Sequence, residues 1–127
     1  MKRLTLLCVD DDPRIRDLYE VLLGSHGHEV LVAGSGHQAL QLFHSQEEEI
    51  DAVISDYEMP EMNGIELAAE LKRSNPTLPV IMVSGYDLPG DQKPFVDAAV
   101  PKGSPVERIL SCIEVFLAVQ LAEAASC

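Results

Sequence analysis

Six polar residues that could bind a metal ion or a phosphate each follow an apolar run of the chain. They are Asp10, Asp11 and Asp12, then Asp56, Ser84 and Lys102. Carboxylates in one pocket repel each other, so protons or a cation must offset their charge. The set contains no histidine or cysteine, and oxygen ligands favour Mg²⁺ over zinc. A lysine and a hydroxyl nearby could bind phosphate oxygens, and phosphoryl transfer needs little beyond such positioning and charge neutralisation.

The elements that must bring these residues together are short apolar runs separated by helical patterns. A continuous apolar run is expected for a strand that is buried on both faces. Strictly alternating strands and helices predict an α/β fold, a doubly wound parallel sheet with helices on both faces. Active sites in such folds lie at the carboxyl ends of the strands, so the polar residues are expected at one edge of the sheet. The predicted strands are Leu4–Val9, Glu29–Ala33, Ala52–Ser55, Pro79–Val83 and Ala98–Val100.

Capping signals mark where the helices begin. Asp12 followed by Pro13 predicts an N-cap and a first helical residue. The apolar face of this first helix would consist of Ile15, Leu18, Tyr19 and Leu22. Between Ser84 and Ala98, prolines and a glycine leave room for only a turn or two, so the fourth helix is predicted to be short or irregular. Capping-box spacing predicts the other helix starts at Ser35–Gln38, Asn63–Glu66 and Ser104–Glu107.

Composition argues against several other classes of protein. The chain has 127 residues, within the usual range for one domain, and we expect residues 1–127 to be a single domain with no output domain. Its net charge of −12 argues against non-specific nucleic-acid binding, and no stretch is long enough to cross a membrane. The three cysteines include no CxxC, which favours a reducing, cytoplasmic location, and Cys8 is predicted to lie in the core. The histidines show no ligand spacing and are predicted to lie at the surface: His26, His28, His37 and His44.

One segment carries a family resemblance. The pattern D-x-x-M-P-x-M-N-G runs from Asp56 to Gly64, and it accompanies the Asp10-Asp11 pair, Ser84 and Lys102. Together these residues resemble the receiver domain of two-component response regulators, the CheY-like superfamily, from about Leu4 to about Leu117. The resemblance implies a flavodoxin-like, five-stranded parallel sheet in the order 2-1-3-4-5.

The resemblance also implies a role for each matching residue. Asp56 would accept a phosphoryl group, Ser84 would hydrogen-bond that group and Lys102 would pair with it. Mg²⁺ would be held by Asp11, Asp56 and the backbone carbonyl of Glu58, with Asp10 acting through water. The phosphodonor would be a phosphohistidine on a sensor histidine kinase or a phosphotransfer protein. Output would be protein–protein interaction with a downstream target rather than turnover of a substrate.

Two positions depart from the family pattern, and other functions stay open. Lys102 is followed by Gly103 where the family has Lys-Pro, and Ala99 stands where the family often has an aromatic residue, which Tyr86 or Phe95 could replace. One alternative is therefore a pseudo-receiver, a non-phosphorylated interaction module that binds Mg²⁺ poorly. A second is a receiver excised from a larger regulator. A third is a phosphohydrolase with Asp10 as nucleophile, although Pro13 stands where haloacid-dehalogenase-type phosphatases have Thr or Val.

Overall fold

Strands and helices alternate from residue 5 to residue 84, as the apolar runs predict. The computed structural model describes residues 2–85 and 96–126, with side chains up to residue 124. The strands are β1 (Thr5–Val9), β2 (Glu29–Ala33), β3 (Ala52–Asp56), β4 (Val80–Ser84) and β5 (Ala98–Pro101). The helices are α1 (Pro13–Ser25), α2 (Gly36–Ser45), α3 (Gly64–Ser74) and α4 (Val106–Ser126). The short helix predicted between β4 and β5, together with Tyr86 and Phe95, lies outside the described residues.

The five strands form one parallel sheet in the order β2-β1-β3-β4-β5, which confirms the predicted fold. Because the strands are parallel, their carboxyl ends meet at one edge of the sheet. The register pairs Val9 with Ser55, and Asp56 with Val83. Ser84 pairs with Pro101 at the end of β5. The residues that follow β1, β3, β4 and β5 are therefore level with one another.

The core consists of two layers, one on each face of the sheet. Successive strand residues point to opposite faces, so Leu7 and Val53 pack against α2 and α3, whereas Leu6 and Ile54 pack against α1 and α4. Burial on both faces explains why the inner strands β1, β3 and β4 are largely apolar. The predicted core residue Cys8 belongs to the second layer and is fully buried. Within the described ranges, no helix combines the length and the apolar character that crossing a membrane requires.

The helix N-caps agree in part with those predicted from the sequence. The Asp12 carboxylate accepts from the Arg14 amide at 2.9 Å, which confirms it as the N-cap of α1. Asn63 and Glu66 form a complete capping box at the start of α3. The other two boxes are not complete. The Gln38 side chain accepts from the Gly34 amide instead of the Ser35 amide. The Ser104 hydroxyl donates to the Pro101 carbonyl, and α4 begins at Val106.

The surface prediction for His28 was wrong, and the predicted apolar face of α1 is buried only in part. His28 is buried, with 6 % of its surface exposed, because its Nδ1 accepts the Leu4 amide at 3.0 Å at the start of β1. The other three histidines are exposed, as predicted. On α1, only Tyr19 of the predicted apolar face is buried, whereas Leu18 is 50 % exposed and Leu22 36 % exposed. These leucines lie beyond the edge of the layer that α1 and α4 share.

Candidate functional site

Three carboxylates meet at the carboxyl edge of the sheet. Asp10 follows β1 directly and Asp56 is the last residue of β3, its neighbour in the sheet. Carboxylate oxygens of Asp10, Asp11 and Asp56 all lie within 4.8 Å of one another. Asp10 and Asp56 are buried, and Asp11 is exposed. A set of hard oxygen donors at this spacing fits Mg²⁺, which commonly uses one or two carboxylates together with water and phosphate oxygens.

The loop of residues 10–12 between β1 and α1 separates two kinds of aspartate. The Asp10 amide donates to the Ala33 carbonyl at 3.1 Å, and the Asp10 carboxylate accepts from the Asp12 amide at 2.9 Å. The Asp12 carboxylate accepts from the Arg14 amide at the start of α1 and also pairs with the Arg14 guanidinium at 3.0 Å. Asp10 and Asp11 therefore contribute to the carboxylate cluster, whereas Asp12 caps α1.

The segment after Asp56 is held close to β3 by backbone contacts. The Tyr57 amide donates to the Val83 carbonyl at 3.0 Å, and the Gly64 amide donates to the Tyr57 carbonyl at 2.8 Å. A Cβ atom on Gly64 would lie only 2.4 Å from the Asp56 carbonyl oxygen, so glycine is needed for this close approach. Glu58 is exposed beside the cluster, and its backbone lies close enough to the Asp56 carboxylate to lower the pKa of that group.

Lys102 brings a cation to Asp56. Its Nζ lies 3.2 Å from Asp56 Oδ1, and its amide donates to the Ser84 carbonyl at 2.9 Å. Gly103 takes a left-handed conformation, with φ of 85°, directly after the lysine. The turn made with glycine thus places the amine beside Asp56 although the Lys-Pro pair of the family is missing. Ser84 is buried at the end of β4, one residue beyond the strand partner of Asp56.

Burial and charge both change the proton affinity of the cluster. Burial raises the pKa of Asp56, and the Lys102 amine and the Glu58 backbone partly offset this rise. Burial also raises the pKa of Asp10, and the neighbouring carboxylates Asp56 and Asp11 add to this effect. Burial lowers the pKa of Lys102, but the surrounding carboxylates outweigh it and keep the amine charged. One lysine does not neutralise three carboxylates, so a divalent cation would relieve the remaining repulsion.

A groove of about 720 Å³ runs from the carboxylate cluster along α1. Its polar end is formed by Asp10, Asp11, Asp56, Glu58 and Lys102. Its apolar end is formed by Ile15, Leu18 and Leu22 of α1 and by Pro105 and Val106 at the start of α4. The exposed leucines of α1 thus line a surface next to the cluster. Helical spacing did not reveal this surface, because it cannot tell an apolar residue in the core from one beside a site.

Arg16, which no sequence pattern singled out, contacts the loop that carries the cluster. The Arg16 guanidinium donates to the Asp10 carbonyl at 2.8 Å. An arginine on a helix usually indicates a solvated position, and no local pattern marked this one as different.

The chain matches known receivers in sequence and in structure. Residues 6–101 match the family model described as the response regulator receiver domain. The transcriptional regulatory protein GlrR of Escherichia coli is 41 % identical over 81 residues, which are 64 % of this chain and 18 % of GlrR. This chain therefore matches less than a fifth of the length of that relative.

Two solved structures are also similar. Thermotoga maritima TrrA in complex with Mg²⁺-BeF is 29 % identical with a TM-score of 0.79, covering 89 % of this chain and 98 % of that chain. A histidine kinase ThkA–TrrA complex is similar at 29 % identity and a TM-score of 0.80, covering 90 % of this chain and 98 % of that chain. The family match and the fold do not support the phosphohydrolase alternative. The chain belongs to the response regulator receiver domain family.

Proposed function

We propose that this chain accepts a phosphoryl group on Asp56 in an Mg²⁺-dependent reaction. The main support for this proposal is the environment of the Asp56 carboxylate. It is buried, it lies within 4.8 Å of the Asp10 and Asp11 carboxylates, and Lys102 Nζ lies 3.2 Å away. A nucleophilic carboxylate with an acidic cation site on one side and an amine on the other fits phosphoryl transfer, which depends on positioning and charge stabilisation.

Each residue has a distinct part in this chemistry. An Asp56 carboxylate oxygen attacks phosphorus while the bond from phosphorus to the donor's imidazole nitrogen breaks. Lys102 then pairs with a phosphoryl oxygen, and the Ser84 hydroxyl donates to another. Asp10, Asp11, Asp56 and the Glu58 carbonyl would hold Mg²⁺, which supplies charge neutralisation for the transferred group when bound.

The placement of Lys102 favours a phosphoacceptor over a pseudo-receiver. A pseudo-receiver is expected to have lost part of the cation and phosphate sites. Here the carboxylates are clustered and the amine is within ion-pair distance of Asp56. The change from Lys-Pro to Lys102-Gly103 therefore does not argue for loss of the site.

The groove supports a protein as the physiological donor. Exposed leucines of α1 lie next to the carboxylate cluster, and an apolar surface beside a reactive group suits docking of a partner rather than of a small ion alone. We propose that a histidine kinase or phosphotransfer protein covers this surface during transfer. The similar protein TrrA forms a complex with the histidine kinase ThkA. Phosphorylation would then bias the packing of the surrounding loops and alter binding to a downstream protein in the cytoplasm.

Intact-mass measurement after incubation with Mg²⁺ and acetyl phosphate tests the proposal. We expect the gain of one phosphoryl group, lost in Asp56→Asn and in a sample without metal. Asp12→Asn is the matched control, because asparagine caps a helix as well as aspartate does, and Asp12 is outside the carboxylate cluster. If neither acetyl phosphate nor a phosphorylated histidine kinase modifies the wild type, and calorimetry detects no Mg²⁺ binding, the pseudo-receiver alternative replaces the proposal.

A further inference from the structure

Arg16 reaches from α1 back to the loop between β1 and α1. It is the fourth residue of α1, and helical side chains lean toward the helix N-terminus. This direction lets Arg16 Nη1 donate to the Asp10 backbone carbonyl at 2.8 Å. The side chain is half-buried and makes no ion pair within the part of the chain that the structure describes.

The guanidinium also lies against the loop that follows β2. A Cβ atom built on Gly34 would lie 3.0 Å from Arg16 Nη1 and 3.4 Å from its Cζ. The Gly34 amide itself donates to the Gln38 side chain at 2.6 Å. The arginine thus occupies the space between the β1–α1 and β2–α2 corners, and a glycine at position 34 leaves room for it.

The bonded carbonyl belongs to the peptide unit that joins Asp10 to Asp11. Because a peptide unit is planar, the direction of the Asp10 carbonyl also sets the direction of the Asp11 amide. The remaining backbone contact of Asp10 is on its other side, where its amide donates to the Ala33 carbonyl. The Arg16 bond therefore orients the backbone from which the Asp11 carboxylate extends toward Asp56.

We propose that Arg16 is a positioning residue for the carboxylate cluster, holding the Asp10–Asp11 peptide unit so that both side chains can serve one Mg²⁺ ion. The inference rests on the proposed function, since it concerns the same site. Groups that orient metal ligands without touching the metal typically contribute about 10-fold to 100-fold in metal affinity.

The charge of Arg16 and its contact with the Asp10 carbonyl predict opposite changes in Mg²⁺ affinity when the side chain is replaced. A positive charge near an acidic site repels Mg²⁺, so removing the charge alone would strengthen metal binding. Removing a positioning contact would weaken it. Arg14 offers a matched control on the same helix: it is exposed, carries the same charge and pairs with Asp12 outside the cluster.

Mg²⁺ titration by calorimetry tests the positioning role of Arg16 in the variants Arg16→Met, Arg14→Met and Gly34→Ala. We expect the Mg²⁺ dissociation constant to rise about tenfold in Arg16→Met and to stay unchanged or fall in Arg14→Met. Gly34→Ala keeps the arginine and its charge but brings a methyl group to 3.0 Å from Nη1, so the guanidinium must shift by a few tenths of an ångström and binding should weaken, by less. Arg16→Lys should restore part of the affinity, because the amine can still donate to the carbonyl.

Phosphorylation and stability separate positioning from general structural damage. In Arg16→Met, the Mg²⁺ concentration for half-maximal phosphorylation should rise, while the rate at saturating Mg²⁺ stays near that of the wild type. Metal affinity unchanged in Arg16→Met, or increased as in Arg14→Met, would refute the inference while leaving the proposed function intact. If Arg16→Met does not fold, Gly34→Ala decides in the same way. Absence of Mg²⁺ binding by the wild type would instead refute the proposed function, and the inference with it.

Discussion

Replacing Gly64 by alanine should strain the structure at the end of β3. A Cβ atom at this position would lie 2.4 Å from the Asp56 carbonyl oxygen and 2.4 Å from Met82 Sδ. Ordinary van der Waals contact begins near 3.4 Å, so each of these atoms, or Gly64 itself, must move by about 1 Å. Met82 is fully buried on β4, and the Asp56 carbonyl is backbone, so neither can turn away into solvent.

The size of the effect follows from the cost of overpacking a core. Forced insertion of a methyl group into a well-packed interior typically costs about 1–3 kcal/mol. We therefore expect Gly64→Ala to lower the free energy of unfolding by about 2 kcal/mol. For a domain of this size, about 1 kcal/mol corresponds to about 4 °C, so the melting temperature should fall by about 8 °C. Phosphorylation of Asp56 should slow as well, because the displaced backbone carries the proposed nucleophile.

Thermal unfolding followed by circular dichroism measures the change, and Gly24→Ala is the control. Gly24 lies inside α1, and a Cβ atom there would meet nothing within 4 Å. Alanine in a helix is more stable than glycine by about 0.5–1 kcal/mol, so this variant should melt slightly higher than the wild type. The reasoning fails if Gly64→Ala melts at the wild-type temperature, or if both variants shift by the same amount.

Two further predictions concern groups outside the site. Desolvation lowers the pKa of His28 below 6.5, so the unfolded state binds a proton more readily than the folded state does. The contribution of neutral His28 to the free energy of unfolding should therefore be complete above pH 6.5 and be lost as the pH falls below it. Urea unfolding across this range measures the loss, and a wild-type dependence no steeper than that of His28→Asn would contradict it. Lys72→Met should lower stability by about 2 kcal/mol, because Lys72 and Asp97 form a largely buried pair at 2.8 Å. In the same urea assay, Arg73→Met should change the free energy of unfolding little, since its ion pair is exposed. Equal losses in both variants would show that the Lys72–Asp97 pair stabilises the fold no more than the exposed pair does.

Local sequence was enough to predict the order and type of the elements that the structure describes. Apolar runs predicted all five strands to within a residue or two. The reason is clearest for β1, β3 and β4, since a parallel strand covered on both faces has no polar side. The N-cap at Asp12 and the box at Asn63 depend on neighbours within three residues, and both were correct. The sheet order came from the family resemblance, since strand pairing is not visible in a single run of residues.

The candidate site was predictable in kind but not in geometry. Alternation and the rule that strand ends share an edge place Asp10 and Asp56 together, although 46 positions separate them. The sequence could not decide whether the turn with Gly103 would bring Lys102 to Asp56. That outcome depends on the left-handed conformation of Gly103 and on the bond from the Lys102 amide to the end of β4.

Only the tertiary structure identified the residues whose role depends on what faces them. His28 is buried because the Leu4 amide at the start of a neighbouring strand needs an acceptor. Leu18 is exposed because the shared layer of α1 and α4 ends before it, and Arg16 contacts Asp10 because Gly34 leaves room. Periodicity and capping act between residues close in the chain, so the sequence by itself determined the elements and the chemistry available at their ends. Contacts between distant elements depend on how those elements pack, and that packing decided which side chains form the site and which residues hold them in place.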